Sequence, residues 1–213
     1  MNEAVIVIGA GGHAAVVADA LLAVGHVVLG FTDHNQARHG ETLCGLPVLG
    51  DDSVLAARTP TDVRLANGIG GSRGERLRHT VQRRLEAAGW RFIGVRHPSA
   101  VVSRFAQVGN GAQLLATCVV QPGTRIGEGC IVNTAAVVEH DVELGEFVHV
   151  SCGAVLCGNV SVGAHSHVGA AAVVRQGVHL GEGTVVGAGA VVVKDFPDGG
   201  TLVGVPASPL EER

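Results

Sequence analysis

The chain has 213 residues and a net charge of −4, with five Phe, one Trp and no Tyr against 32 Gly. The negative balance and the scattered Lys and Arg exclude the basic footprint that nucleic-acid binding needs. So few large aromatics exclude a thick conventional core along the whole length, because such cores lean on them. Thin, repeated layers are expected instead.

Residues 1–96 read as a first domain of alternating strands and helices. Ala4 to Ile8 is a continuous apolar run, as a parallel strand buried on both faces requires. Gly9-Ala10-Gly11-Gly12-His13 is a tight turn, and Ala14 to Ala23 follows as an apolar helix. His26 to Thr32 reads as a second strand closed by Asp33, and Val63 to Ala66 as a third. The stretch Ala14 to Phe31 is broken by Asp19, Gly25 and His26, so it is not a membrane span. Ser72-Arg73-Gly74-Glu75 has capping-box form and opens a helix with Leu77, Val81 and Leu85 on one face, which Gly89 stops. Arg91 to Val95 is expected as a fourth strand. The whole is a βαβ pattern, about half of a dinucleotide-binding fold.

Residues 97–213 follow a different rule. From Ala100 to Asp195 the chain divides into sixteen hexads without an insertion. Position three is Val, Ile or Leu in all of them, and position one is always Ala, Cys, Thr, Ser or Val. Gly109, Gly127, Gly145, Gly163 and Gly181 recur every 18 residues, or three hexads. One aliphatic and one small inward residue per six describes a solenoid with short flat faces, three to a coil. Stacking at about 4.8 Å makes a prism roughly 25 Å long. The recurring Gly is expected at a corner with positive φ, where a Cβ is rejected. Cys118 and Cys130 take the small inward position and read as packing residues. With Cys44, Cys152 and Cys157 they make an odd set without a CxxC pair. A reduced, cytoplasmic setting without a leader segment is therefore expected.

Several segments carry a resemblance: VIVIGAGGHA, Phe31-Thr32-Asp33, Ile69-Gly70, His97-Pro98-Ser99-Ala100, the run Val132 to Asp141 (VNTAAVVEHD), Gly145 to Val150 (GEFVHV), and the tail Val203-Gly204-Val205-Pro206-Ala207. Together they resemble the hexapeptide-repeat sugar O- and N-acyltransferases over nearly the whole chain. The resemblance implies a left-handed parallel β-helix behind the α/β domain, a homotrimer, and acetyl-CoA as co-substrate with no metal. It places the catalytic His at His140 with Asp141 as its acidic support. It places His149 at the acetyl-CoA thioester, and Ala170 and Ala188 where backbone groups touch CoA. In the first domain it assigns Gly11, Gly12, His13, Asp33, His34 and Gly70 to the nucleotide-linked sugar. His34 stands where some relatives carry a second acid.

The residues themselves fit these roles unequally. An amine or hydroxyl attacking a thioester must lose a proton, and His titrates near working pH. Neighbours on a strand point to opposite faces, so only a turn at the hexad boundary would bring Asp141 to the His140 imidazole. The alternative for Asp141 is a polar corner, and for His149 a surface or subunit contact. Gly9 to Ala14 also fits G-x-G-x-x-A with Asp33 ending the next strand, a weak fingerprint by itself. Its glycines and helix N-terminus suit a diphosphate, and the second half-domain that NAD needs is absent.

The resulting expectation is an acetyl-CoA-dependent N-acetyltransferase acting on the 4-amino group of a nucleotide-linked sugar, with His140 as general base. One rival is an O-acetyltransferase of sialic-acid type. Another is a zinc-dependent β-helix hydratase using His140, His149, His165 and His167, of which His165 and His167 alternate on one strand face. A nucleotide-sugar-binding or structural protein without activity is the third, and His140 within its motif argues against it.

Overall fold

The computed structural model describes residues 4–71 and 76–210. The chain divides into two compact units, Met1–Gly70 with Arg76–Pro98, and Gly71–Glu75 with Ser99–Arg213.

The first unit is built on β1 (Ala4–Ile8), α1 (Gly12–Ala23), β2 (Val27–Thr32), β3 (Thr42–Leu43), β4 (Leu46–Gly50), β5 (Val63–Asn67) and α2 (Leu77–Ala87). The sheet order is β3-β4-β2-β1-β5, with β1 pairing β2 and β5 in parallel. The central strand is buried on both faces. Val5 and Val7 pack with Ala14, Val17 and Leu21 of α1, while Ile6 and Ile8 pack with Leu55, Leu65, Leu85 and Trp90. This is why the run is continuously apolar rather than alternating.

Two features differ from the sequence reading, and a third lies outside what is described. A hairpin unforeseen in the sequence, β3–β4, extends the sheet through β4 beside β2. Its two-residue turn is Cys44-Gly45, both with positive φ, as a type I′ turn requires. Cys is a rare choice there, so the usual Asn-Gly signal is missing. The expected fourth strand shrinks to Val95–Arg96, with Phe92 making a single bridge to Leu65. The Ser72–Glu75 capping box lies outside the described residues; α2 is described from Leu77 and ends before Gly89, whose φ of 91° closes it.

In the second unit the hexads form two-residue strands, each pairing in parallel with the strand 18 residues on, for example Val119 with Val137. A first sheet stacks six strands from Val101–Val102 to Val191–Val192, and a second stacks five from Gln107–Val108 to His179–Leu180. A third runs from Gln113–Leu114 to Thr184–Val186 and is extended by Gly200–Val203 and Ser208–Pro209. Three stacked sheets, one strand of each per coil, make this the expected parallel β-helix. The interior is the expected narrow column: Cys118, Val120, Cys130, Val132, Ala136, Val138, Val150, Ala154, Leu156 and Val174 are each at most 1% exposed.

The corners correct the sequence reading. Gly109, Gly127, Gly145, Gly163 and Gly181 are not among the positive-φ residues. They are glycine because coils approach too closely there: a Cβ on Gly145 would stand 2.5 Å from the Ala164 backbone nitrogen. The left-handed residue is instead position six of every hexad from Gly111 to Gly189, and non-glycine side chains include Thr117, Ala135, Asp141, Phe147, Asn159, His165 and Ala171. The conformation strains an L-residue by about 1–2 kcal/mol. It also aims the backbone N–H at the coil before it, as Ala135 donates to the Ala116 carbonyl at 3.0 Å and Asp141 to Pro122 at 3.1 Å. A repeated hydrogen bond offsets a repeated strain.

Candidate active site

The first unit holds a cleft of about 890 Å³ at the carboxyl ends of β1, β2 and β5, the edge where ligands of parallel sheets bind. Gly11, Gly12, His13, Asp33, His34 and Gly70 all line it. Gly11 caps α1 without a side-chain hydrogen bond, as a helix N-terminus that opens on a ligand cleft can. A Cβ on Gly11 or Gly12 would meet nothing within 4 Å, so these glycines leave space rather than relieve crowding inside the chain. Gly68 is different: its Cβ would stand 2.7 Å from that of Ala14, which is how the strand-end loop comes down on α1. Asn67, buried, accepts from the Ile69 N–H at 3.1 Å and donates to Gln82, fixing the same loop.

Asp33 is held more firmly than the sequence implied. Its side chain is 12% exposed, its Oδ1 accepts from the Asn35 N–H at 2.9 Å, and its Oδ2 lies 3.5 Å from the Arg38 guanidinium. Arg38 also donates to the Ala10 carbonyl, tying the glycine turn to Asp33. His34 points outward, with its side chain 98% exposed and Nδ1 3.6 Å from Asp33.

Sequence reasoning missed the other wall. β4 delivers Asp51, Asp52 and Ser53 to the cleft, and α2 delivers Arg84. Asp52 accepts from Thr32 at 2.8 Å and pairs with Arg84. Asp51 caps the short 3-10 helix Asp52–Ala57, and the Ser53 hydrogen bonds hold its carboxyl below the usual carboxylate range. The sequence signal would have been the Asp51-Asp52-Ser53 cap motif after an apolar run.

In the second unit His140 and Asp141 meet. Asp141 is the left-handed position-six residue, with φ of 58°, and that turn brings its Oδ2 to 2.9 Å from His140 Nδ1. The carboxylate accepts the Nδ1–H, which leaves the lone pair on Nε2. The ring lies against Gly158, one coil on: a Cβ there would stand 2.5 Å from both Cε1 and Nε2. At Gly123, one coil back, an added Cβ would likewise collide with the Asp141 carboxylate.

The remaining residues stand elsewhere on the prism. Ala170 and Ala188 are exposed on adjacent coils of one edge, linked by the Gly189 N–H donating to Ala170 at 2.8 Å. The His140 edge joins the first and second sheets, whereas the Ala170–Ala188 edge joins the third and first. His149 is on the third sheet, 7% exposed, with Nε2 3.2 Å from Asn133 and its ring edge-on to His167 at 4.7 Å. Within one chain, His140 is therefore not brought together with His149, Ala170 or Ala188. Of the four histidines weighed for zinc, only His149 and His167 lie together, while His140 and His165 stand on two other edges. His165 stacks on Phe147 at the third edge, and no group of three or more His, Cys, Asp or Glu suited to a metal occurs among the described residues. Nor is any helix among them long and apolar enough to cross a membrane.

The family model of the PglD N-terminal domain matches residues 4–85. A search of curated proteins found no match. Among solved structures, the chain is similar to the acetyltransferase domain of PglB from Neisseria gonorrhoeae, at 40% identity and TM-score 0.91, covering 98% of this chain and 100% of that one. The same domain in complex with acetyl coenzyme A matches at 40% identity, TM-score 0.92 and coverage of 99% and 100%. A variant of perosamine N-acetyltransferase from Caulobacter crescentus, in complex with CoA and GDP-perosamine, matches at 38% identity and TM-score 0.91, covering 98% of this chain and 97% of that one. These neighbours are acetyltransferases, two of them with acetyl coenzyme A or CoA bound. The chain belongs to the PglD-type sugar acetyltransferases of the hexapeptide-repeat class.

Proposed function

We propose that this chain transfers the acetyl group of acetyl-CoA to the 4-amino group of a nucleotide-linked sugar, as a homotrimer in a reducing cytoplasm. The observation that carries the reading is the His140–Asp141 pair, with Nδ1 and Oδ2 2.9 Å apart, in a chain 38% identical to a perosamine N-acetyltransferase bound to CoA and GDP-perosamine. The five free cysteines support the compartment.

The nucleoside diphosphate occupies the cleft of the first unit. Its phosphate oxygens face the N-terminus of α1 at Gly11-Gly12-His13, where first-turn N–H groups and the helix dipole favour negative charge. Asp33, oriented by Arg38, accepts hydrogen bonds from the base or ribose, and His34 and Gly70 complete the contacts. Acetyl-CoA lies along the edge of Ala170 and Ala188, with His149 at the thioester. The amine attacks the thioester carbonyl carbon while His140 Nε2 takes its proton. Asp141 stabilises the imidazolium that forms. The tetrahedral oxyanion needs a preorganised donor. Gly158 lies against the imidazole, which makes its backbone N–H the candidate for that role. Collapse breaks the C–S bond, and the departing thiolate takes the proton from His140.

The test is an acceptor assay with acetyl-CoA that reads free thiol. Turnover with a nucleoside-diphosphate 4-amino sugar, and none with its 4-hydroxy counterpart or with sialic acid, is the expected result. Turnover on hydroxyl acceptors alone would replace it with the O-acetyltransferase.

A further inference from the structure

The cleft of the first unit is lined in the order of the strands that end there. Ile8 pairs with Thr32 and Thr32 with Gly50, so the turns after β1, β2 and β4 stand side by side along one edge, about 4.8 Å apart. They present the glycine turn, Asp33 and the Asp51–Ser53 segment in that order, and the Asp33 N–H donates to the Gly50 carbonyl at 2.8 Å. A nucleotide has its parts in a matching order. Phosphate belongs at the α1 N-terminus, and the acid that closes β2 about 20 residues on takes the ribose hydroxyls. The base therefore falls at the end of β4, against Asp51 and its neighbours. On α2 the cleft is lined by Leu77, Thr80, Val81 and Arg84, one stripe at i, i+3, i+4 and i+7. Leu77 and Val81, with Ile8 and Ile69, give an apolar wall for the flat face of a ring.

The polar groups at that end are a held donor and a held acceptor. Thr32, buried, donates to Asp52 Oδ1 at 2.8 Å, and Asp52 Oδ2 pairs with Arg84. Both Asp52 oxygens are thereby engaged, so Asp52 steadies the guanidinium. Arg84 is 60% exposed and offers further N–H donors in a fixed fork. Asp51 takes its hydrogen bonds from Ser53, on its own turn, and these hold its carboxyl below the usual carboxylate range. A carboxylate accepts about four hydrogen bonds, so Asp51 keeps capacity for a ligand. We propose that Asp51 and Arg84 read the nucleobase, and that the base they select is guanine. This rests on the reading of the cleft as the nucleotide-sugar site, and it names the base that reading leaves open. Guanine alone among the common bases sets two adjacent donors, N1–H and the 2-amino group, beside the acceptors O6 and N7. The donors match the two oxygens of one carboxylate, and the acceptors match a guanidinium fork. Uracil has its N3–H between two carbonyls. A carboxylate placed on that N3–H brings its second oxygen against a carbonyl oxygen, which repels it. Adenine turns an unprotonated ring nitrogen to the same carboxylate, with the same result.

Calorimetry on the full chain with GDP, UDP, inosine diphosphate (IDP) and xanthosine diphosphate (XDP) tests the assignment. GDP should bind at least ~10-fold tighter than UDP, the scale of one bidentate base contact. IDP lacks the 2-amino group and should lose much of that advantage. Asp51→Asn separates recognition from structure. Asn caps a helix as well as Asp does, so the turn is kept, but its amide offers one donor and one acceptor in place of two acceptors. The variant should weaken GDP at least ~10-fold and strengthen XDP, whose 2-carbonyl replaces the amino group. A purely structural Asp51 would leave the ratio of GDP to XDP affinity unchanged, and that result overturns the proposal. Arg84→Met, at an exposed position, should weaken GDP, IDP and XDP together, since all three carry O6 and N7, and UDP less. UDP binding as tightly as GDP in the wild type overturns the choice of guanine while the cleft reading stands. Binding of none of the four overturns the cleft reading, and the proposal with it.

Discussion

His140 reaches its working geometry through three neighbours that serve it in different ways. Asp141 fixes the tautomer at 2.9 Å, and Gly158 and Gly123 leave the room the pair occupies. His140→Ala should therefore lower kcat at least ~10²-fold, the usual scale for a lost general base. The KM values should change little, and Asp141→Asn should cost less. Steady-state kinetics at saturating acceptor checks both; full kcat in His140→Ala would exclude it as the base. Gly158→Ala is a finer probe, because its φ is not in the left-handed region and the nearest obstacle is the imidazole 2.5 Å away. It should lower kcat about tenfold or more by misplacing Nε2, with the melting temperature nearly unchanged. In the cleft, Asp33→Ala should raise KM for the nucleotide-sugar while KM for acetyl-CoA stays near wild type. An equal rise in both would remove Asp33 from the acceptor site. At this scale the motif VNTAAVVEHD located the pair, and no feature of it said that Asp141 would turn back. A left-handed φ at a non-glycine residue is set by the coil beneath, which receives its N–H.

Among elements, the hexad explains itself once its two kinds of corner position are separated. Position four is glycine where the next coil is too near, and position six is left-handed whatever its side chain. Gly145→Val should thus destabilise by overpacking against Ala164, by about 1–3 kcal/mol. Ala135→Gly should do the reverse. It relieves about 1–2 kcal/mol of left-handed strain against about 0.4–1 kcal/mol of added unfolded-state entropy. Thermal or urea unfolding distinguishes them, and a lower melting temperature for Ala135→Gly would show that its strain is negligible. The sequence expectation of positive φ at Gly145 confused two reasons for glycine that look alike in a string of letters. The β3–β4 hairpin was hidden for a related reason: Cys44-Gly45 adopts the turn through backbone geometry without the residue that advertises it.

The whole molecule combines a nucleotide cleft and an acyl-transfer prism, each with its own core. A ligand at about a hundred times its Kd stabilises the folded state by about 2.7 kcal/mol, which is several degrees of melting temperature for a chain of this size. Saturating UDP or GDP should raise the melting temperature in this way, and NAD should not. A rise with NAD that Asp33→Ala abolishes would instead make the cleft a dinucleotide site. The sequence alone determined the two architectures, because hydrophobic periodicity is local: six-residue repeats and apolar strand runs dictate which side chains turn inward wherever the chain goes. It also determined the family and the candidate residues, since those sit in contiguous motifs. Tertiary structure alone decided what depends on residues distant in sequence. It brought Asp51, Asp52 and Arg84 to the cleft wall, set Gly158 against His140, and placed His140 and Ala170 on different edges of the prism. Those relations follow from stacking register and sheet order, which arise only when coils and strands 18 or more residues apart are paired.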